Sequence, residues 1–187
     1  MVTHKGTQEI KTNRLILRRA RVEDDQAMYD NWASDPEVTK FLTWPPHASV
    51  EVTCRVLNGW VENYEKSDWY QWLIVPKDSG DEPIGSMCAL GKDDRIGSFH
   101  VGYCIGRAWW HQGIMSEALQ GVIDFLFDEV GANRVEARND VNNPHSGGVM
   151  RKCGMQYEGT LRQSDWNNQG TCDAAYYGIL RKEWKKA

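Results

Sequence analysis

The chain has no long apolar run, no close pair of cysteines and none of the common phosphate-loop signatures, and each absence removes a class of function. No stretch approaches the roughly 18 apolar residues of a membrane-spanning helix, and no N-terminal segment joins a basic start to an apolar core. With a mean hydropathy of -0.62, a protein embedded in a membrane is not expected, and the expected compartment is cytoplasmic. Five cysteines, Cys54, Cys88, Cys104, Cys153 and Cys172, are odd in number and scattered, so neither a disulfide framework nor a zinc site is signalled. No other metal is expected, because no spacing sets two histidines on one helical face with a carboxylate. Neither G-x-x-x-x-G-K-[ST] nor a G-x-G-x-x-G after a strand occurs, which removes the best support for nucleotide hydrolysis and Rossmann-type redox chemistry. Basic residues are also outnumbered, 22 against 26 acidic, for a net charge of -4. Long-range attraction to nucleic acid or to an anionic membrane is therefore not expected, and only a local basic patch is left open.

What is present suits one sizeable core. The 187 residues read as a single domain, 1–187, of ordinary globular composition. Nine tryptophans are unusual; most belong in a core, but Trp44 beside Pro45 and Trp166 in a turn-rich segment are less assured of burial. Alternation marks a strand over 14–20. A helix is expected over 22–33, closed by Asp35-Pro36, and another over 50–64 behind Ser49. Two strands flanking 77–81 make a hairpin, and a third antiparallel strand covers 98–106. From Ile114 the apolar residues Met115, Ala118, Leu119, Val122, Leu126 and Val130 fall at helical spacing, with Gly131 as the stop. A strand over 134–139, a helix opened by Asn143-Pro144 and closed by Gly154, and two strands around the 167–170 turn complete the chain. This order, uninterrupted by repeat or linker, is that of an α+β domain: a mixed, mostly antiparallel sheet flanked by helices.

Immediately before the long helix, Trp109, Trp110, His111 and Gln112 crowd against Gly113. A helix start with bare N–H groups after a tight glycine turn is an anion site, since those donors and the positive end of the dipole both favour phosphate. Taken alone, a glycine before a helix is more often just a turn.

With "WWHQGIMSEAL" before the long helix and "NPHSGGVMRKCGMQYEGTLR" after the following strand, the chain resembles the GNAT acetyltransferase superfamily. Within it, the RimJ/RimL-type N-acetyltransferases are the nearer likeness, from "TNRLILR" to "YYGILRKEW". The resemblance implies a twisted sheet whose central strands splay and acetyl-CoA as cosubstrate. It further implies direct transfer of acetyl to a primary amine in a ternary complex, the acceptor being a protein N-terminal α-amine, as of a ribosomal protein, or a small-molecule amine. By the same analogy the protein forms a homodimer, although the sequence exposes no interface. The family's pyrophosphate loop is [QR]-x-x-G-x-[GA]; the frame here is Trp110-His111-Gln112-Gly113-Ile114-Met115, and only the central glycine matches. Because the family's contacts to pyrophosphate are mainly backbone N–H groups, which any residue but proline supplies, the resemblance assigns that role to His111, Gln112, Gly113, Ile114, Met115 and Ser116. Asn143-x-x-Ser146 is the second matched element, implied to face the pantetheine arm and the thioester, though either side chain could simply cap its helix. The strand "VGYCIG" is expected to offer N–H groups near Cys104 and Ile105 to the acetyl carbonyl and pantetheine.

Acetyl transfer from a thioester needs a deprotonated amine, donors for the developing oxyanion and a partner for the departing thiolate. The family's usual tyrosine acid is matched here by Met150, so the resemblance moves the thiolate role to Ser146. His100, where related sequences usually carry Glu, is the candidate base, with water as the alternative. A cysteine nucleophile at Cys104 or Cys153 is the rival mechanism. His111 and His145 also flank the expected site, where their imidazoles read as solvated neighbours. Met150 keeps a second class in view as well, a non-catalytic acyl-CoA-binding or regulatory module.

Overall fold

The computed structural model describes residues 1–185, Lys92 by its backbone alone. Eight strands form one sheet in the order β1-β2-β3-β4-β5-β6-β8-β7. They are β1 Ile10–Lys11, β2 Leu15–Arg18, β3 Tyr70–Pro76, β4 Gly85–Asp93, β5 Ser98–Ile105, β6 Arg134–Asp140, β7 Gln156–Asn167 and β8 Gly170–Leu180. Every neighbouring pair is antiparallel except β5 and β6. Parallel strands need a crossover, and here it runs through the long helix that starts at Ile114. Between β2 and β3 lie α1 Asp25–Met28, α2 Pro36–Thr39 and α3 Val50–Asn63; α4 is Ile114–Phe125, and α5 Pro144–Lys152 links β6 to β7.

Period-2 alternation gives the sheet two different faces. Phe99 and Val101 of β5 pack with Ala118, Leu119 and Val122 of α4 in the main core. On the other face Leu73 of β3 meets Met28, Trp32 and Leu57 from the N-terminal helices. Ser98, His100, Gly102 and Cys104 alternate onto that second face. The N-terminal helices are anchored by Arg18, whose guanidinium donates to Asp24 at 2.8 and 2.9 Å and to Asp81 at 2.8 Å. Burial alone would depress the Arg18 pKa, but the two carboxylates reverse the balance and raise it.

Two features position the site. First, β5 and β6 pair only over Ser98↔Arg134, Phe99↔Val135 and His100↔Glu136. Beyond these rungs β5 stays with β4 as far as Ile105 and β6 stays with β8 as far as Asp140, so the central strands part, as the family resemblance implies. Second, the helical segments are less regular than their periodicity suggests. The segment 22–33 is a 3-10 turn, α1 and a π turn in succession, with Ser34 N–H donating to Tyr29 O at 3.2 Å. Trp32 and Ala33, in that wider turn, are both fully buried. Likewise α4 passes into a π turn over 126–130 and stops at Gly131, which takes φ +80° as a left-handed cap. The strand β1 is too short to carry any period. Of the two tryptophans singled out from sequence, Trp44 is half-buried beside His47 and Trp166 is exposed.

Candidate active site

Where β5 leaves β6, a cleft of about 550 Å³ opens, walled by the end of β5, the loop before α4, the start of α5 and part of the 37–42 segment. Its size falls in the range of about 300–1,000 Å³ typical of small-molecule sites. The chain turns from β5 into the loop at Gly106, where a Cβ would stand 2.3 Å from Asn31 O and 2.7 Å from the Trp109 ring. Only glycine allows that approach.

The loop itself is left-handed at two positions, His111 at φ +62° and Gly113 at φ +75°. Glycine adopts this region freely, whereas His111 bears a strain of about 1–2 kcal/mol. Left-handed residues on either side of Gln112 curve the backbone into a nest, a concavity suited to anions, and α4 begins directly after it. Among the described residues no turn or cap bond engages the N–H groups of residues 111–116; the first is from Glu117 N–H to Gly113 O at 3.1 Å. Glu117, the one acid in that first helical turn, is held elsewhere. Its carboxylate accepts from Thr12 Oγ1 at 2.6 Å, Arg14 N–H at 2.7 Å and Arg14 Nε at 2.6 Å. Burial opposes its ionisation, but these donors prevail and hold it below the usual carboxylate range. A guanidinium N–H of Arg14 also donates to Gln112 O at 3.1 Å, so the β1–β2 turn braces the loop.

The two bulky departures from the family loop are both accommodated. Met115 is buried at the edge of the main core, and Trp110 lies along the end of β5 with Nε1 donating to Ile105 O at 2.9 Å. The cleft stays open between them.

Backbone alternation decides which β5 groups face the gap. Gly106 N–H donates to Ile84 O at 2.9 Å, and in an antiparallel ladder alternate residues turn both N–H and C=O to the same neighbour. Cys104 therefore turns its N–H to β4, while Tyr103 and Ile105 turn theirs to the gap. The expected donor near Cys104 is thus its neighbours' rather than its own. Cys104 is among the residues lining the cleft, its thiol lies 3.4 Å from Ser86 Oγ, and burial pushes the thiol pKa up to about 11. Burial likewise pushes Cys153 up to about 12 while its thiol donates to Ser116 O. Neither is a thiolate near neutral pH, so a cysteine nucleophile lacks its reactive form.

At the start of α5, Asn143 makes no capping bond with its side chain. Its backbone is fixed instead: Asn143 N–H donates to Asp140 O at 2.8 Å and Asn139 Nδ2 donates to Asn143 O at 3.1 Å. The residue lines the cleft together with Ser146. Ser146 Oγ lies 3.1 Å from the Tyr103 hydroxyl, which also donates to Ser146 O at 3.0 Å. Burial raises the Tyr103 pKa well above the usual phenol range, offset in part by Ser146. Sequence reasoning passes over Tyr103; the available signal is its alternation with Phe99 and Val101 onto the face that α5 covers. Met150, at the family's tyrosine position, is fully buried in the main core.

Two further residues are placed away from the cleft. His100 does not line the cleft; it sits on the last shared rung of β5 and β6, on the opposite face, with Nδ1 3.7 Å from Glu136 Oε1. Gln112 lines a separate recess with Arg14 and Lys77, its Nε2 donating to Ala108 O at 2.9 Å. His111 meets His145 edge-on at the cleft, ring centroids 4.9 Å apart. Among the residues lining the cleft, Lys40, Arg151 and Lys152 face one carboxylate, Glu37. This local excess of positive charge, in a chain of net charge -4, suits an anion such as coenzyme A. Among the described residues no group of three or more His, Cys, Asp or Glu is arranged to hold a metal.

The Acetyltransferase (GNAT) domain family matches residues 14–156. An uncharacterized N-acetyltransferase of Bacillus licheniformis, p20, is 30% identical over 173 residues, covering 92% of this chain and 96% of that protein. The ribosomal-protein-serine acetyltransferase of Escherichia coli (strain K12) is 27% identical over 140 residues, 74% of this chain and 76% of that protein. Among solved structures, RimL, a ribosomal L7/L12 α-N-protein acetyltransferase in complex with coenzyme A, superposes with a TM-score of 0.81 at 22% identity. That likeness covers 92% of this chain and 98% of RimL.

Proposed function

The chain belongs to the GNAT acetyltransferase family and is an acetyl-CoA-dependent N-acetyltransferase, and from that premise we propose which of its residues act and on what acceptor. The carrying observation is the parting of β5 from β6 beside the nest at His111 and Gly113, with Ser146 in the gap. The N–H groups of His111, Gly113, Ile114, Met115 and Ser116 hold the diphosphate, with Gln112 contributing through its backbone only. Asn143 lies along the pantetheine arm, and the gap-facing N–H of Ile105 or Tyr103 receives the acetyl oxygen. The amine attacks directly: its lone pair forms the C–N bond as the carbonyl pair moves to oxygen, and the C–S bond then breaks with its pair on sulfur. Ser146 Oγ–H stabilises that thiolate. The proton leaving nitrogen passes to water, with His100 as the candidate base reached through water from the opposite sheet face.

A primary amine is the acceptor, a protein N-terminal α-amine ahead of a small-molecule amine. The support is the relative named for ribosomal-protein serine. We propose one catalytic domain over 1–187, of which 186–187 lie outside the described residues. A cytoplasmic location is proposed from the five unbridged cysteines, and a homodimer from the resemblance alone. Only Met150 favours a non-catalytic module; that residue is core, and Ser146 and Tyr103 are the hydroxyl-bearing residues that line the cleft side by side.

The test is mass spectrometry of peptides with serine and alanine N-termini, together with small amines, incubated with acetyl-CoA and the protein. Addition of one acetyl group at a peptide α-amine is the expected outcome. Modification confined to small amines reverses the order of acceptors, and coenzyme A release at background across the whole panel counts against catalysis.

A further inference from the structure

Tyr103, which lines the cleft with Ser146, has one hydroxyl proton and two neighbouring acceptors, Ser146 O at 3.0 Å and Ser146 Oγ at 3.1 Å. A phenol donates one hydrogen bond at a time, and so does a serine. In the resting arrangement Tyr103 donates to Ser146 O and its oxygen receives the Ser146 proton. The Ser146 hydroxyl then points at Tyr103 and not at a substrate. In the alternative arrangement Tyr103 turns its proton to Ser146 Oγ, and the serine proton is released toward the gap. A hydroxyl that accepts one hydrogen bond becomes a stronger donor in the next, so the second arrangement also strengthens Ser146 as a donor.

Resting on the acetyltransferase reading, we infer that Tyr103 is the positioning residue of the Ser146 hydroxyl, aiming its proton at the sulfur as the C–S bond breaks. The sulfur keeps the bond's electron pair and receives a hydrogen bond from Ser146 Oγ. The proton lost by the amine goes to water, and no net proton leaves Tyr103. Its burial agrees, since a phenolate there is strongly disfavoured. Tyr103 and Ser146 come from β5 and α5, so the pair also ties the wall of the gap to the helix that closes it. Met150 lies in the main core at the family's tyrosine position, whereas Tyr103 and Ser146 form a hydroxyl pair among the residues that line the cleft.

Two measurements separate this inference from the reading beneath it. The first needs no acceptor: coenzyme A is bound to the wild type, Tyr103→Phe and Ser146→Ala, and the thiol is titrated by its thiolate absorbance. A Ser146 hydroxyl aimed at sulfur lowers the pKa of the bound thiol in the wild type, and both variants raise it back toward the value of free coenzyme A. The second uses acetyl-CoA with whichever amine of the panel is acetylated. Tyr103→Phe then lowers kcat about tenfold or more with little change in KM for acetyl-CoA, and the double variant is no slower than Ser146→Ala. A bound thiol that titrates identically in wild type and Tyr103→Phe, or rate losses that multiply in the double variant, overturns the inference while leaving the acetyltransferase reading standing. A wild type that binds no coenzyme A overturns both.

Discussion

Gly113 carries the least replaceable backbone of the site. At φ +75° it stands where a β-branched residue is a steric outlier, and its open side faces Arg14, 3.7 Å from where a Cβ would lie. Gly113→Val is expected to reshape the nest and weaken acetyl-CoA binding about tenfold or more, since the backbone donors remain but lose their orientation toward the anion. The folded state should lose only about 1–2 kcal/mol, the price of a left-handed L-residue. Calorimetric titration beside a urea melt reads the two effects separately, and an unchanged Kd would remove the loop from the diphosphate. His111, already left-handed with a side chain, shows that one such strain is carried in the native loop. At this scale the sequence is informative where a residue's demand is local. Gly113 and Asn143-Pro144 are legible because a tight turn and a helix start impose conformations on contiguous residues. Tyr103 is not, because its partner Ser146 lies 43 positions away.

Among the elements, the brace between the β1–β2 turn and α4 holds the loop in register. Glu117 receives Thr12 Oγ1, Arg14 N–H and Arg14 Nε, and its pKa is depressed in the folded state despite burial. A depressed carboxylate contributes stability that is fully present above its unfolded pKa, about 4.3, and is lost as pH falls through the lower folded value. Glu117→Gln should therefore be less stable than the wild type by about 1–2 kcal/mol at neutral pH. The gap should close as the pH falls below about 4. Urea midpoints across pH test this; a difference that stays constant into acid would mean the carboxylate's charge is not what braces the turn. Asp81, Glu158 and Asp165 are also depressed, so wild type and variant share the rest of the acid sensitivity. Element order is legible from hydrophobic period, but the π turns at 29–33 and 126–130 are not, because they answer to which side chains the assembled core admits.

For the molecule as a whole, charge and cleft have opposite signs: net -4 overall, yet three cations against one carboxylate along the cleft. Counting residues cannot expose that separation, since Lys40 meets the neighbouring Arg151 and Lys152 only by folding. A ligand that binds the native state alone raises stability by mass action. Acetyl-CoA at about a hundred times its Kd should thus raise the melting temperature by roughly 5–10 °C for a chain of this size. The same concentration of sodium chloride should do nothing, and an equal melt with and without acetyl-CoA would deny the cleft its ligand.

From the amino-acid order alone come the succession of strands and helices, the loop glycine, the Asn143-x-x-Ser146 helix start and the family likeness, since each is written in neighbouring residues whose periodicity or backbone conformation is local. Tertiary structure alone decides the rest. Strand pairing selects Tyr103 and Ile105, not Cys104, to face the gap, and the short β5–β6 ladder takes in His100 and keeps it on a paired rung short of that gap. Packing sends Gln112 to a separate recess and Met150 to the core, and sets a phenol against a serine. These depend on the directions in which distant backbones and side chains meet, which no contiguous stretch encodes.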